Sequence, residues 1–315
     1  MKNQIKTVYY ANFNITFGEE NEPMLNHFID IIYPAFRAGF KRGDEGKKPN
    51  FYFTNVKLTK IDNDIVLVGN YIKDDEISVY TTVHNQQLVS SPNEIETAPY
   101  SRFIIFLRNH RMVLVKNESN SPDIRSFQST AKSFLKRYVR RENKKRTILQ
   151  KLPLPNVNIM AIPLQEDILS ALKSTKKILF LNFRFFPLNN DLNPYAMEEN
   201  INQVMQDIGC KTANMRFNSP QSKAEVARIM NRSQGMAEVT ARVEKEDGTR
   251  SNITNGQFQS NKKINYNGNL QEKDDAYIIN QVKNNPAIST VSKENDSLYN
   301  RAKTQLEEII KRIMD

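Results

Sequence analysis

SPDIRSFQSTAKSFLKRYVRRENKKRTILQK, residues Ser121–Lys151, is the stretch on which the reading of this chain turns. Phe127, Ala131, Phe134, Leu135, Tyr138 and Val139 recur at helical spacing and form one apolar stripe. At about 100° per residue, Arg125, Lys132, Lys136, Arg140 and Lys144 fall together on the opposite face. Arg137 and Arg141 flank that face, and Lys145 and Arg146 carry it past the last apolar position. Ser121 is the expected cap, Pro122 suits a first turn, and Asp123 complements the positive end of the helix dipole. Pro153 and Pro155 are expected to end the element, because neither can donate to a continuing helix.

This segment holds ten Lys or Arg against two acids, a net of +8 in a chain whose total is +10. Residues 1–120 balance at zero and residues 152–315 sum to +2. Charge concentrated in one stripe implies an anionic partner more strongly than a diffuse basic composition. The like-charge pairs Lys132/Lys136, Lys136/Arg140, Arg140/Lys144 and Arg137/Arg141 lie four residues apart. Each costs about 0.2–0.5 kcal/mol on a helix surface, so the four together cost on the order of 1–2 kcal/mol. Glu142 is the single acid in the last two turns able to relieve them. Phosphates laid against the face would account for that repulsion. A solvated face and an acidic protein surface are the competing explanations. A basic amphipathic helix also suits a membrane surface, but the chain has no Trp and the apolar stripe follows a strand hairpin on which it can pack.

Upstream, residues 1–120 read as a mostly antiparallel sheet with one helix. Tyr9, Ala11, Phe13 and Ile15 alternate with Val8, Tyr10, Asn12 and Asn14 along a strand with one core face. Met24–Phe40 has helical periodicity, kinked or divided at Pro34. Phe51–Ile61 and Ile65–Ile72 read as strands joined at Asp62–Asp64, and Val89–Pro99 as a loop. Arg102–Leu107 and Met112–Lys116 form a hairpin turning at Arg108–Arg111, where Arg108 and Arg111 are further candidate phosphate contacts.

Downstream, Leu152–Pro155 is the expected boundary after the connecting segment 121–155. Residues 156–259 read as a second unit opening on a strand at Val157–Ile162. From Lys177 the order is β-α-β-α-β-β, a sandwich with helices on one sheet face, including a helix at Met197–Ile208. Residues 260–296 are rich in Asn, Lys, Gln and Gly and read as a polar, loop-dominated segment. Residues 297–315 close the chain with an amphipathic helix, Leu298–Met314, which either docks on the body or joins two copies. The fold class is therefore α+β.

Chemistry is sparse. His27, His84 and His110 lack the spacing of a metal site, and Cys210 stands alone, which fits a reducing cytoplasm. Phosphate-loop, dinucleotide and nucleophile-elbow motifs are absent from the sequence. The N-terminal residues have no long apolar run resembling a signal peptide, and no run of about 18 apolar residues suggests a membrane-spanning helix. Glu45-Gly46-Lys47 and Glu142-Asn143-Lys144 match the acid-x-Lys element of metal nucleases, but neither lies on an expected strand. Asp62, Asp64, Asp74, Asp75 and Glu76 could converge on a divalent cation. In Lys177–Phe186, Phe180, Arg184 and Phe186 would form an aromatic–basic platform if exposed; burial of the strand on both faces is the favoured reading. No cofactor is implied. The expectation is a nucleic-acid-binding protein whose contacts are Lys132, Lys136, Arg137, Arg140, Arg141, Lys144, Lys145 and Arg146. A metal-dependent nuclease and a subunit docking an acidic partner are the alternatives.

Overall fold

The computed structural model describes residues 4–189, 201, 203–205, 207–266 and 268–314. It is an α+β arrangement of two antiparallel sheets. The larger sheet contains β1 (Gln4–Phe17), β2 (Glu22–Pro23), β3 (Asn50–Ile61), β4 (Asp64–His84), β5 (Gln87–Thr97), β6 (Tyr100–Phe106) and β7 (Arg111–Lys116). β8 (Pro155–Ala161) and β13 (Asn261–Tyr266) complete it from far along the chain. β13 pairs with β1 over Gln4–Tyr9, and β8 pairs with β1 over Ala11–Phe17. One edge of a single long strand is thus divided between two distant segments. The Val157–Ile162 region, read as the opening of a second unit, belongs to the first sheet because β1 offers it an unpaired edge.

The long helix α2 (Ile124–Asn143) lies on one face of this sheet. Ile124, Phe127, Ala131, Phe134, Leu135 and Val139 are buried there with Phe13, Phe36, Phe53 and Phe103. Phe127 stacks edge-on or tilted against Phe53 at 5.1 Å and Phe103 at 5.3 Å, geometry that favours aromatic contact. The expected cap shifts by two residues: Asp123 Oδ1 accepts from Ser126 N–H at 2.8 Å, whereas Ser121 Oγ accepts from Glu118 N–H. The helix ends ten residues before Pro153. Asn143 stops it by turning its side chain onto Leu152, accepting from the Leu152 N–H at 2.7 Å and donating to its carbonyl at 2.9 Å. Lys144 is the C-cap, so Lys145 and Arg146 lie in the following turn.

Other elements refine the expectation. Met24–Phe40 is divided into a 3-10 turn (Met24–His27), a π turn (Phe28–Ile32) and α1 (Tyr33–Arg37), with Pro34 in the first turn of α1 where its missing N–H costs nothing. Val89–Pro99 is not a loop. β4 runs on past the sheet and pairs with β5 as a solvent-exposed ribbon, Ile77 opposite Ile95 and Val83 opposite Leu88. Its weak hydrophobic signal reflects exposure on both faces.

The segment 260–296 is also more ordered than its composition suggests. Besides β13 it forms α5 (Asp275–Val282) and α6 (Pro286–Ser289). Leu270, Ile278, Ile279, Val282 and Ile288 cover Val8, Tyr10, Val66, Val68, Ile104, Val113 and Val115 on the second face of the sheet. β1 is therefore buried on both faces, not one. Arg102 and Asp275 make a buried two-pronged ion pair at 2.8 and 2.6 Å, with Asn70 accepting a third guanidinium N–H at 3.0 Å. The terminal helix α7 (Lys293–Met314) docks on the body: Tyr299 and Leu306 are buried, and Tyr299 Oη accepts from the Ile65 N–H at 2.8 Å. Leu298, Ala302, Ile309 and Ile310 pack against the same core while remaining partly exposed.

The smaller sheet has the order β10-β9-β11-β12, from β9 (Thr175–Phe185), β10 (Ala213–Asn218), β11 (Glu238–Lys245) and β12 (Arg250–Thr254). α3 (Gln165–Lys173) and α4 (Lys223–Arg232) pack on one face through Ile168, Leu172, Val226, Ala227 and Met230. The helix expected at Met197–Ile208 lies largely outside the described residues. Asn14 ties the two sheets together, donating to Pro187 O at 2.8 Å and accepting from Asn189 N–H at 2.8 Å.

Candidate nucleic-acid interface

What turns the cations of α2 outward is the anchoring of its other side. The Tyr71 hydroxyl lies 2.6 Å from Ser126 Oγ and 2.8 Å from Thr130 Oγ1. Arg42 reaches the same two hydroxyls, Nε donating to Thr130 at 2.7 Å and the guanidinium to Ser126 at 3.1 Å. Burial pushes the Tyr71 hydroxyl above its usual pKa, against the opposing pull of these hydrogen bonds, so it stays a neutral anchor. With this buttress and the Phe127–Phe134 packing beneath, the helix cannot rotate its basic face inward.

On the outward side, Lys136, Arg137, Arg140, Arg141 and Lys144 line one open groove of about 690 Å³ with Phe40 and Ser133. Phe40 forms its apolar wall: the Arg137 guanidinium sits 4.6 Å and that of Arg141 5.0 Å from the ring centroid. Cation–π contact of this kind orders arginine side chains without neutralising them. Arg141 also meets Glu142 at 3.2 Å, and Lys145 meets it at 3.4 Å. Burial would raise the Glu142 carboxyl, but the hydrogen bonds from Arg141 and Lys145 prevail and hold it below the usual range. Lys132, Lys136, Arg140 and Lys144 form no ion pair with any described carboxylate.

Not every expected contact gathers here. Lys132 is exposed one turn upstream of the groove, and Lys145 and Arg146 extend beyond its end, where Arg146 donates to Gln150 O at 3.4 Å. Past them a short 3-10 turn leaves Ile148 and Leu149 exposed. Arg108 and Arg111 do not line the groove either. Arg108 is held by Asp296 at 2.7 Å and Asp64 at 3.7 Å, and Arg111 is buried, donating to Gln234 O at 3.2 Å. Arg111 is thereby withdrawn from solvent, whereas Arg108 stays part-exposed beside its two carboxylates. His110, between them, is fully buried in a left-handed turn, φ 55°.

The carboxylates considered for a metal are likewise dispersed. Asp62 pairs with Lys283, Asp64 with Arg108, Asp74 with Lys48, and Asp75 with Lys73. Among the described residues no three His, Cys, Asp or Glu side chains gather at metal-binding distance. Glu142-Asn143-Lys144 is engaged otherwise, with Asn143 on Leu152 and Glu142 on its cationic neighbours.

Lys177–Phe186 departs from the favoured reading. Leu181, Phe183 and Phe185 are buried against the helices, but Phe180 and Asn182 are half-exposed and Arg184 exposed on the far side. Phe186 is buried and does not join them. Two contributions escaped the sequence: Phe40, the wall of the groove, and Arg42, its buttress. Both lie between α1 and β3: Phe40 ends the stretch expected to be helical, and Arg42 falls in what reads as ordinary polar connection. The only local hint was an aromatic residue next to a Lys-Arg pair.

Compared with known proteins, the chain matches no family model and no curated sequence.

Proposed function

We propose that this chain binds nucleic acid, with the outward face of α2 neutralising backbone phosphates. The observation that carries the reading is the groove at Phe40: five cations surround one concavity, and among the described residues only Arg141 of the five is paired with an acid, Glu142, which it shares with Lys145 beyond the groove. A concave track suits a cylindrical or flexible polyanion better than a flat bilayer. No described helix is long and apolar enough to cross a membrane. Such contacts position the polymer and give salt-sensitive affinity, without reading sequence.

Fluorescence-anisotropy titration across a salt series tests the proposal. Five or six neutralised phosphates give duplex DNA a log–log salt slope near about −5. Absence of binding to DNA and RNA alike would remove the reading. A stable complex with an acidic protein from nuclease-treated lysate would replace it. Degradation of the probe that stops with EDTA would add catalysis to binding.

A further inference from the structure

The smaller sheet covers one face with α3 and α4, and among the described residues the other face is left open. Its register can be read in rows across the strands. One row is Asn218, Phe180, Arg242 and Asn252; the next is Arg216, Asn182, Thr240 and Thr254; a third is Asn214, Arg184 and Glu238. Antiparallel sheets often have a solvated polar face, usually with mixed charges. These rows place one arginine on each of three adjacent strands, and Glu238 is their single carboxylate. Arg184 pairs with it at 3.2 Å. Arg216 and Arg242 instead donate to Asn218 at 2.9 Å and Asn252 at 3.0 Å, neutral partners that leave the charge uncompensated. The Arg216 guanidinium lies 3.7 Å from the centroid of the Phe180 ring, a close cation–π contact of the kind beside which a base can stack.

This face connects with α2. A groove of about 390 Å³ is lined by Arg125 and Gln128 of α2, Asn158 and Met160 of β8, and Arg184 and Glu238 of the sheet. Going from Lys144 back through Arg140, Lys136 and Lys132, the cations of α2 lead along about 30 Å of helix toward that groove. Resting on the reading of α2 as a phosphate track, we infer that the open sheet face takes the unstacked bases of a single strand. Phe180 and Arg216 supply the stack. Asparagine amides and arginine forks supply hydrogen bonds to base edges. In a duplex the bases are turned inward, so only the phosphate track would engage.

The test uses three probes of about twenty nucleotides, a length chosen to cover the helix and the sheet: a single-stranded DNA, the same strand with abasic sites, and the duplex. Wild type, Phe180→Ala, Arg216→Ala and the α2 variant Lys132→Gln/Lys136→Gln/Arg140→Gln/Lys144→Gln are titrated with each. Wild type is expected to bind the native strand at least about tenfold more tightly than the abasic strand, the scale of one base–aromatic stack. Phe180→Ala should abolish that preference while keeping the salt slope. Arg216 is exposed and lies outside the buried core, so Arg216→Ala repeats the test should Phe180→Ala melt early. Equal binding of native and abasic strands, or tighter binding of the duplex, overturns the inference and leaves the α2 reading standing. No binding of any probe by wild type removes both.

Discussion

Replacing Lys132, Lys136, Arg140 and Lys144 together by Gln should move binding and stability in opposite directions. All four lie on the outward side of α2 and pair with no described carboxylate. If each meets one phosphate, their loss reduces a duplex salt slope of about −5 to about −1.5, at roughly 0.9 per phosphate. Between 50 and 200 mM salt, the wild type would then lose about a thousandfold in affinity and the variant only about eightfold. The same change relieves three like-charge pairs, Lys132/Lys136, Lys136/Arg140 and Arg140/Lys144, and leaves Arg137/Arg141. At about 0.2–0.5 kcal/mol each, the variant gains about 0.6–1.5 kcal/mol at low ionic strength. Gln and Lys have similar helix propensity, so the main offset is the favourable helix-dipole interaction lost at Arg140 and Lys144 near the C-terminal end. The melting temperature should rise by at most about 2 °C, and the gain should fade in high salt as the charges are screened. Anisotropy and thermal melting across one salt series read both effects. A variant that melts earlier than wild type would refute the reasoning, since these side chains would then be structural. An unchanged slope with a raised melting point would mean a solvated face and no phosphate track.

Asp275→Ala leaves Arg102 buried and uncompensated and should cost about 3–5 kcal/mol by chemical denaturation, whereas replacing both partners with apolar residues should recover much of it; a loss under about 1 kcal/mol would show that the pair is not desolvated. Gly69→Ala places a Cβ 2.5 Å from the ring of Phe103, itself fully buried, and should cost about 1–3 kcal/mol from overpacking, readable as an earlier denaturation midpoint. His27 lies between Glu22 at 3.1 Å and Asp30 at 3.4 Å. Burial alone would lower its pKa, but hydrogen bonds to the two carboxylates prevail and raise it above 6.5. The stabilisation is therefore full below the unfolded value and lost as pH rises through the folded one. Wild type should lose more stability than His27→Gln between about pH 6 and pH 8, and an NMR titration placing the imidazole below the unfolded value of about 6.5 would contradict this.

The amphipathic character of α2 was legible because it depends on neighbours three and four positions apart, and the turns at Asp62–Asp64 and Arg108–Arg111 because turn chemistry is equally local. The two-sidedness of β1 was not. Asn12 and Asn14 look like solvent-facing positions, yet both are fully buried by residues from far along the chain. The segment 260–296 misled for the same reason: its few apolar residues are spaced irregularly, and only the bare second face of the sheet makes them a core. The candidate site divides along the same line. Charge segregation on α2, and the exposure of the face opposite its apolar stripe, follow from the sequence alone. The availability of each cation does not, because an ion pair is decided by whatever carboxylate the fold brings within about 4 Å. Arg108 and Arg140 are equally basic in sequence; Asp296, 188 residues from Arg108, engages the first, and no described carboxylate reaches the second. Local periodicity determined which surface would be positive, and tertiary contact decided which of its charges remained unpartnered.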